Sequence, residues 1–345
     1  MAVVVAAVGI VVGALVAVPL PLRTAGAASP EGEVVTDELV LGDPILYGPT
    51  AAIPGEDRFV GFDLRDGAQR WASDECLAAE EAAPVGSRQG QILVVSCGGE
   101  LRGLDLQTGR FLWAYEPDRD WTMLRVGGGR VAVGLGDHAD VLDLVDGERL
   151  IRWTGRDVDE ESITVALSED LVFFGEDERV FAVEDDGAVR WEADTIPSAM
   201  WAADGMLLTR YVKEFRRFDL VSGEELETFF LGGSTPNSMI VGDDRGVAVL
   251  AKSDETEAVF GVGIWDRSRS WAGDGKRFLA VGPAHVAVLD AGRCQVLRID
   301  TGATVASCGD GWDVGLDGDR VAFVASARRG GAGSRIVVRS LPPAD

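Results

Sequence analysis

From about residue 30 onward, apolar and polar side chains alternate in short runs, the period-two pattern of strands that turn one face inward. One pairing of runs recurs. An alternating run ends in aspartate, a turn closes on glycine, and a second run follows. It reads Phe62-Asp63-Leu64-Arg65-Asp66-Gly67 leading to Trp71, then Leu104-Asp105-Leu106-Gln107-Thr108-Gly109 leading to Trp113. Further copies are Leu142-Asp143-Leu144-Val145-Asp146-Gly147, with the tryptophan displaced to Trp153, and Val183-Glu184-Asp185-Asp186-Gly187 leading to Trp191. Phe218-Asp219-Leu220-Val221-Ser222-Gly223 lacks the tryptophan, Ile264-Trp265-Asp266-Arg267-Ser268 has lost the glycine, and Arg298-Ile299-Asp300-Thr301-Gly302 is the last clear copy.

With Ser268 standing for the missing glycine, successive copies lie 34 to 45 residues apart, about 39 on average. That period suits a four-stranded propeller blade. Two further strand-like runs fall between hairpins, for example Met123–Val126 and Arg130–Leu135, and would be strands A and B, the hairpin supplying C and D. No segment past residue 23 sustains a helical period. The expected fold is all-β, a propeller of four-stranded blades. Arg335–Leu341 reads as an eighth strand C without a D, and Val34–Leu41 could fill that place by pairing the two ends of the chain. Closure of this kind removes exposed sheet edges. Eight blades are expected, with seven as the alternative.

Residues 1 to 22 carry no charge and are nearly all Ala, Val, Leu, Ile, Gly and Pro, long enough as a helix to cross a hydrocarbon core. Arg23 ends the run, and Ala25-Gly26-Ala27 offers a cleavage site. Residues 1–29 are therefore expected to be a signal peptide or one N-terminal hydrophobic anchor helix, and 30–345 the propeller, extracytoplasmic and either secreted or membrane-anchored. Asp and Glu number 57 against 32 Lys and Arg, a net charge of -25, which opposes binding to nucleic acid. A monomer is expected.

Four cysteines downstream of an export segment point to disulfides. With a three-residue loop Asp300-Thr301-Gly302, Ile299 faces Ala303, and the same register puts Cys294 directly opposite Cys308. Cys76 follows strand D of one blade and Cys97 ends strand B of the next, so their pairing would staple two blades. The alternative is buried free thiols. No C-x-x-C occurs and His138 and His285 are the only histidines, so no metal site is expected.

Asp, two residues, Thr or Asp, Gly and a Trp four residues on resembles the repeat of pyrroloquinoline-quinone (PQQ) propellers, over residues from about 36 to 341. The resemblance implies that Trp71, Trp113 and Trp191 dock between adjacent blades, with Trp153 out of step. It also raises a quinoprotein oxidoreductase, in which Ca²⁺ and quinone sit beside a pair of adjacent cysteines. This chain has no adjacent cysteines and a single asparagine, Asn237, so no catalytic residue and no cofactor is assigned. In repeat type the chain is also similar to the propeller lipoproteins of outer-membrane barrel assembly. No lipobox cysteine follows its apolar segment, and that role does not carry over.

The remaining candidate is a recognition face. Trp121, Trp201 and Trp312 come early in A strands, after D–A loops carrying Asp120, Asp194 and Asp310, around the channel mouth. They form either inter-blade core or an aromatic, acidic rim for a cationic peptide or a sugar. The expected function is a non-catalytic scaffold for an unknown protein or cell-envelope ligand, touching the membrane through the N-terminal segment if that is uncleaved. The alternatives are a PQQ-dependent oxidoreductase and a carbohydrate-binding or lyase propeller.

Overall fold

Middle strands such as Ile92–Cys97 (ILVVSC) and Val172–Glu176 (VFFGE) are buried almost throughout, because neighbouring sheets cover both faces. Alternation then sends neighbouring residues into different cores. Leu93 and Val95 pack with Trp71 and Phe59, whereas Ile92 and Val94 pack with Val131, Val133 and Leu142. Among the described residues, each core cluster is shared between two sheets.

A computed structural model describes residues 32–36, 44–55, 58–73, 76, 86–155, 163–203, 205–212, 214–230, 236–241, 247–252, 257–262, 271–274, 276–281, 285–299, 301–309, 314–317, 320–325 and 334–341. The N-terminal apolar segment lies outside these. Among the described residues there is no helix, and none therefore long and apolar enough to cross a membrane. Their strands form eight four-stranded antiparallel sheets. Seven are consecutive in sequence: sheet I (45–72), II (86–115), III (123–154), IV (164–194), V (199–230), VI (236–274) and VII (276–309). The eighth sheet joins 314–340 to the N-terminal strand Gly32–Thr36, with Gly32 opposite Val338 and Thr36 opposite Ser334. The closing strand thus begins two residues before the expected Val34, and residues 37–41 lie outside the described set.

Sheet VIII packs on sheet I through Ile336 and Val338 against Leu46, Ile53 and Phe62. The approach is closest at Gly315, where a Cβ would lie 1.7 Å from the carbonyl oxygen of Pro44. Only glycine fits there.

The hairpin motif has a separate task for each residue. Aspartate Oδ1 accepts the backbone N–H two residues on, at 2.8 Å for Asp63, 2.7 Å for Asp105 and 2.7 Å for Asp143. The following leucine donates its N–H to the turn between strands A and B, as Leu106 does to Gln91 and Leu144 to Gly129. Its own carbonyl receives the tryptophan of the preceding sheet. Trp71 Nε1 donates to Leu106 O (2.9 Å), Trp113 to Leu144 O (2.8 Å) and Trp191 to Leu220 O (3.1 Å). The turn glycine has a left-handed backbone and leaves room for the ring. A Cβ on Gly147 (φ +72°) would sit 2.7 Å from Trp113.

The hairpin loop is longer than expected. Arg298 and Ala303 close it, with four residues between them, because the glycine N–H reaches back to the fourth residue before it (Gly302 to Arg298 O, 2.9 Å). Register shifts on either side of Gln295–Val296 then place Cys294 opposite Gly309 rather than Cys308. Cys294 is nonetheless disulfide-bonded. The side chain of Cys308 lies outside the described residues.

Cys76 and Cys97 are joined, with Cα atoms 4.9 Å apart, and both are buried in the core between sheets I and II. The 21-residue separation corresponds to a stabilisation of about 3 kcal/mol by loop-entropy reasoning.

Candidate functional site

The expected ligand face is the sheet end that gathers the D–A and B–C connections. Thr122 N donates to Gly134 O (2.8 Å), which brings the start of strand A beside the end of strand B. Trp121 is half-buried there and packs with Tyr115, Leu124 and Val126 against the core between sheets II and III. Asp120 beside it is exposed. Trp201 lies in Ala199–Ala203, opposite Leu208 and partly buried. Asp194 ends strand Val189–Asp194 with 95% of its side chain exposed. Trp312 and Asp310 fall outside the described residues. Trp121 leads into sheet III and Trp201 lies in sheet V, with sheet IV between them.

The face carries instead a charged network across the II–III junction that sequence reasoning did not find. Asp140 has no exposed surface and sits between Ala139 and Val141 in the strand His138–Asp143. Arg152, opposite it on strand D, forks onto both carboxylate oxygens at 2.8 and 2.7 Å. Tyr115 of sheet II donates its hydroxyl to the same carboxylate. Arg152 also reaches Asp118 (3.1 Å), in the connection leaving sheet II. Buried His138 places Nδ1 2.7 Å from Asp137 and Nε2 3.4 Å from Asp118, and Arg119 completes the group at 3.0 Å from Asp137.

Each titration shift follows from this geometry. Burial, and then the bond to Asp140, pushes the Tyr115 phenol up to about 12. Burial alone would raise Asp140, but the bonds from Arg152 and Tyr115 outweigh it and hold the carboxyl below its usual range. The bond from His138 lowers Asp137. The carboxylates are thus already matched by cations and donors of this chain. Among the described residues, no group of three or more His, Cys, Asp or Glu side chains is arranged to hold a metal ion. The network's chemistry is that of a clasp between sheets. The one signal for it in the sequence was Asp140, a charge between Ala139 and Val141 in a strand.

A second clasp lies at the III–IV junction, where the repeat departs from its pattern. The hairpin of sheet IV is one residue shorter, its glycine bonding back three residues (Gly187 to Glu184 O, 2.9 Å), and a Cβ on Gly187 would meet nothing within 4 Å. Trp153 does not dock there. It stacks on Phe174 (4.7 Å, 5° between planes) and donates to Glu176. The vacated role passes to Arg130, which is 6% exposed. Its Nε and Nη2 hold Asp185 at 2.8 Å each, and Nη1 donates to the carbonyls of Gly128, Ser168 and Glu169 at 2.9, 2.7 and 2.7 Å.

Residues 55–214 match the family model described as outer membrane protein assembly factor BamB. No curated protein matches the sequence. Among solved structures, BamB from Moraxella catarrhalis superposes with a TM-score of 0.58 at 17% identity, covering 89% of this chain and all of that one. The C-terminal WD40 domain of Sif2 gives 0.61 at 13% identity, covering 90% and 99%. At these identities the likeness is one of fold. With the docked tryptophans and the hairpin motif, it makes the fold a β-propeller, whose repeats over residues 55–214 are similar to those of the PQQ-like family.

Proposed function

We propose that the chain is an eight-bladed, extracytoplasmic propeller that works without catalysis, as a scaffold on which a protein of the cell envelope docks. The observation that carries this reading is a contrast between junctions and rim. The junctions are locked by tryptophans, ion pairs and a disulfide. The outer hairpins of sheets II to V nonetheless leave Leu112, Val145, Leu150, Val189, Val221 and Leu226 exposed. A rigid frame that presents apolar side chains outward is what a docking platform requires. Eight blades are supported by the eight sheets and by the pairing of both chain ends in the last of them. An oxidising location is supported by the Cys76–Cys97 bond and the apolar N-terminal segment. The similarity to a protein whose name describes outer-membrane protein assembly agrees with a scaffold role.

The test is crosslinking of the full-length protein in its native envelope, followed by mass spectrometry. A stoichiometric protein partner supports the proposal. Saturable, calcium-dependent quenching of tryptophan fluorescence by PQQ, with no crosslinked partner, would replace it with a quinoprotein.

A further inference from the structure

The described surface concentrates exposed aromatic and β-branched side chains at one place, the outer end of the IV–V junction on the B–C face. Tyr211, Glu214 and Phe230 stand in one cross-strand row at the end of sheet V, Tyr211 opposite Glu214 and Glu214 opposite Phe230. Register partners share a face. Here it is the face toward sheet IV, because Leu207 and Phe218 on the same side pack with Phe173 and Ala182. Phe230 is 69% exposed and Tyr211 45%. Ile196, 37% exposed, lies in the connection from sheet IV, two residues before Ser198, whose N–H bonds Arg210 O at 2.9 Å and so brings that connection to the end of strand Met206–Tyr211.

Val212 is an independent observation. It occupies the first position of the two-residue turn between Tyr211 and Glu214, at φ +55°, with its side chain 46% exposed. Such turns favour Asn, Asp or Gly. The matching turns of sheets II and VII hold Gly98-Gly99 and Ala291-Gly292. A β-branched residue there is strained, and strain of this kind collects at functional surfaces. Local stability does not explain a valine at an exposed tip.

The charge around this cleft selects the partner. Glu178, Glu192, Asp194 and Glu214 flank it, against Arg179 and Arg216, an acidic excess among the described residues. Resting on the scaffold reading above, we propose that Ile196, Tyr211, Val212 and Phe230 receive an apolar side chain from a basic segment of a partner protein. Aromatic anchors set in a charged rim are the usual composition of an interface centre.

The probe is a fluorescein-labelled decapeptide with two phenylalanines in a lysine and serine background, titrated into the full chain by anisotropy. Its controls replace phenylalanine by serine, or lysine by glutamate. Binding should weaken at least tenfold for either control and for F230S, while L112S on the rim of sheet II leaves it unchanged. V212N should raise the melting temperature and still weaken the peptide severalfold, a combination that a purely structural valine would not give. Hydrogen exchange should show peptide-dependent protection at 210–212 and 226–230. Equal affinity for F230S and the unaltered protein, or for the glutamate peptide, would overturn the proposal. A native partner crosslinked only to other sheets would also overturn it, while leaving the scaffold reading standing.

Discussion

Replacing Arg130 by methionine keeps the apolar stem in place and removes every donor at the III–IV junction. Two of the five bonds go to Asp185, whose side chain is 54% exposed and regains water when the partner is lost. The other three end on carbonyls. Those of Gly128 and Ser168 are half-sheltered, and Glu169 is exposed. A buried carbonyl left without a donor costs on the order of 1–3 kcal/mol, and one that can rehydrate costs much less. R130M should therefore lose about 3 kcal/mol, most of it from the carbonyls, while D185A loses about 1 kcal/mol as a half-exposed ion pair. Urea denaturation of the oxidised protein measures both, and the double mutant supplies the coupling between them. Hydrogen exchange should locate the R130M effect at 168–171 and 184–187. If D185A proved as costly as R130M, the ion pair would be the clasp and the carbonyl argument would be wrong. If R130M were neutral, the stacked Trp153 would hold the junction alone.

Three further outcomes follow from the same geometry. G147A should cost about 2–4 kcal/mol, since a Cβ meets the Trp113 ring and the backbone is left-handed, while G187A, with the same handedness and open space, should cost only about 1 kcal/mol; melting curves separate the two. Because the Tyr115 phenol is raised, its contribution is complete below the free-tyrosine value of about 10 and is lost as pH climbs to about 12, so Y115F should flatten the alkaline limb of the stability profile. Reduction of Cys76–Cys97, or its replacement by serines, should lower stability by about 3 kcal/mol and loosen exchange at the I–II junction first.

What could be read from the sequence was whatever repeats. Asp63 acts on the backbone of its own hairpin, and Trp71, Leu106 and Gly109 on the contact that one sheet makes with the next, so the same letters return about every 39 residues. Fold, closing strand and docked tryptophans follow from that recurrence. The Cys76–Cys97 pair was legible because the repeat located both residues on adjacent sheets. Register near Cys294 was not, because a fourth loop residue and paired bulges shift partners by one without altering the letters. The clasp of Tyr115, Asp118, His138, Asp140 and Arg152 occurs once among the described residues, and nothing periodic announces it. A unique cluster is visible only when two sheets are brought side by side.

The departures in the repeat were nonetheless informative in combination. Trp153 is two residues late, and the hairpin it should meet, ending at Gly187, is one residue short. Taken singly, each is ordinary drift. Together they mark one interface, because the tryptophan of one sheet and the hairpin of the next are two halves of the same contact. A junction that loses both halves needs another anchor if the ring is to stay closed, and the sheltered Arg130 is that anchor. The same logic ranks the junctions. Junctions held by an indole docked on glycine without a charged clasp beside it, I–II and IV–V, resist changes in salt, since those contacts are packing and a neutral hydrogen bond. The III–IV junction rests partly on an ion pair with a half-exposed carboxylate and the II–III junction partly on the Arg152–Asp118 and Arg119–Asp137 pairs, and these two should be the ones whose exchange rates rise with ionic strength.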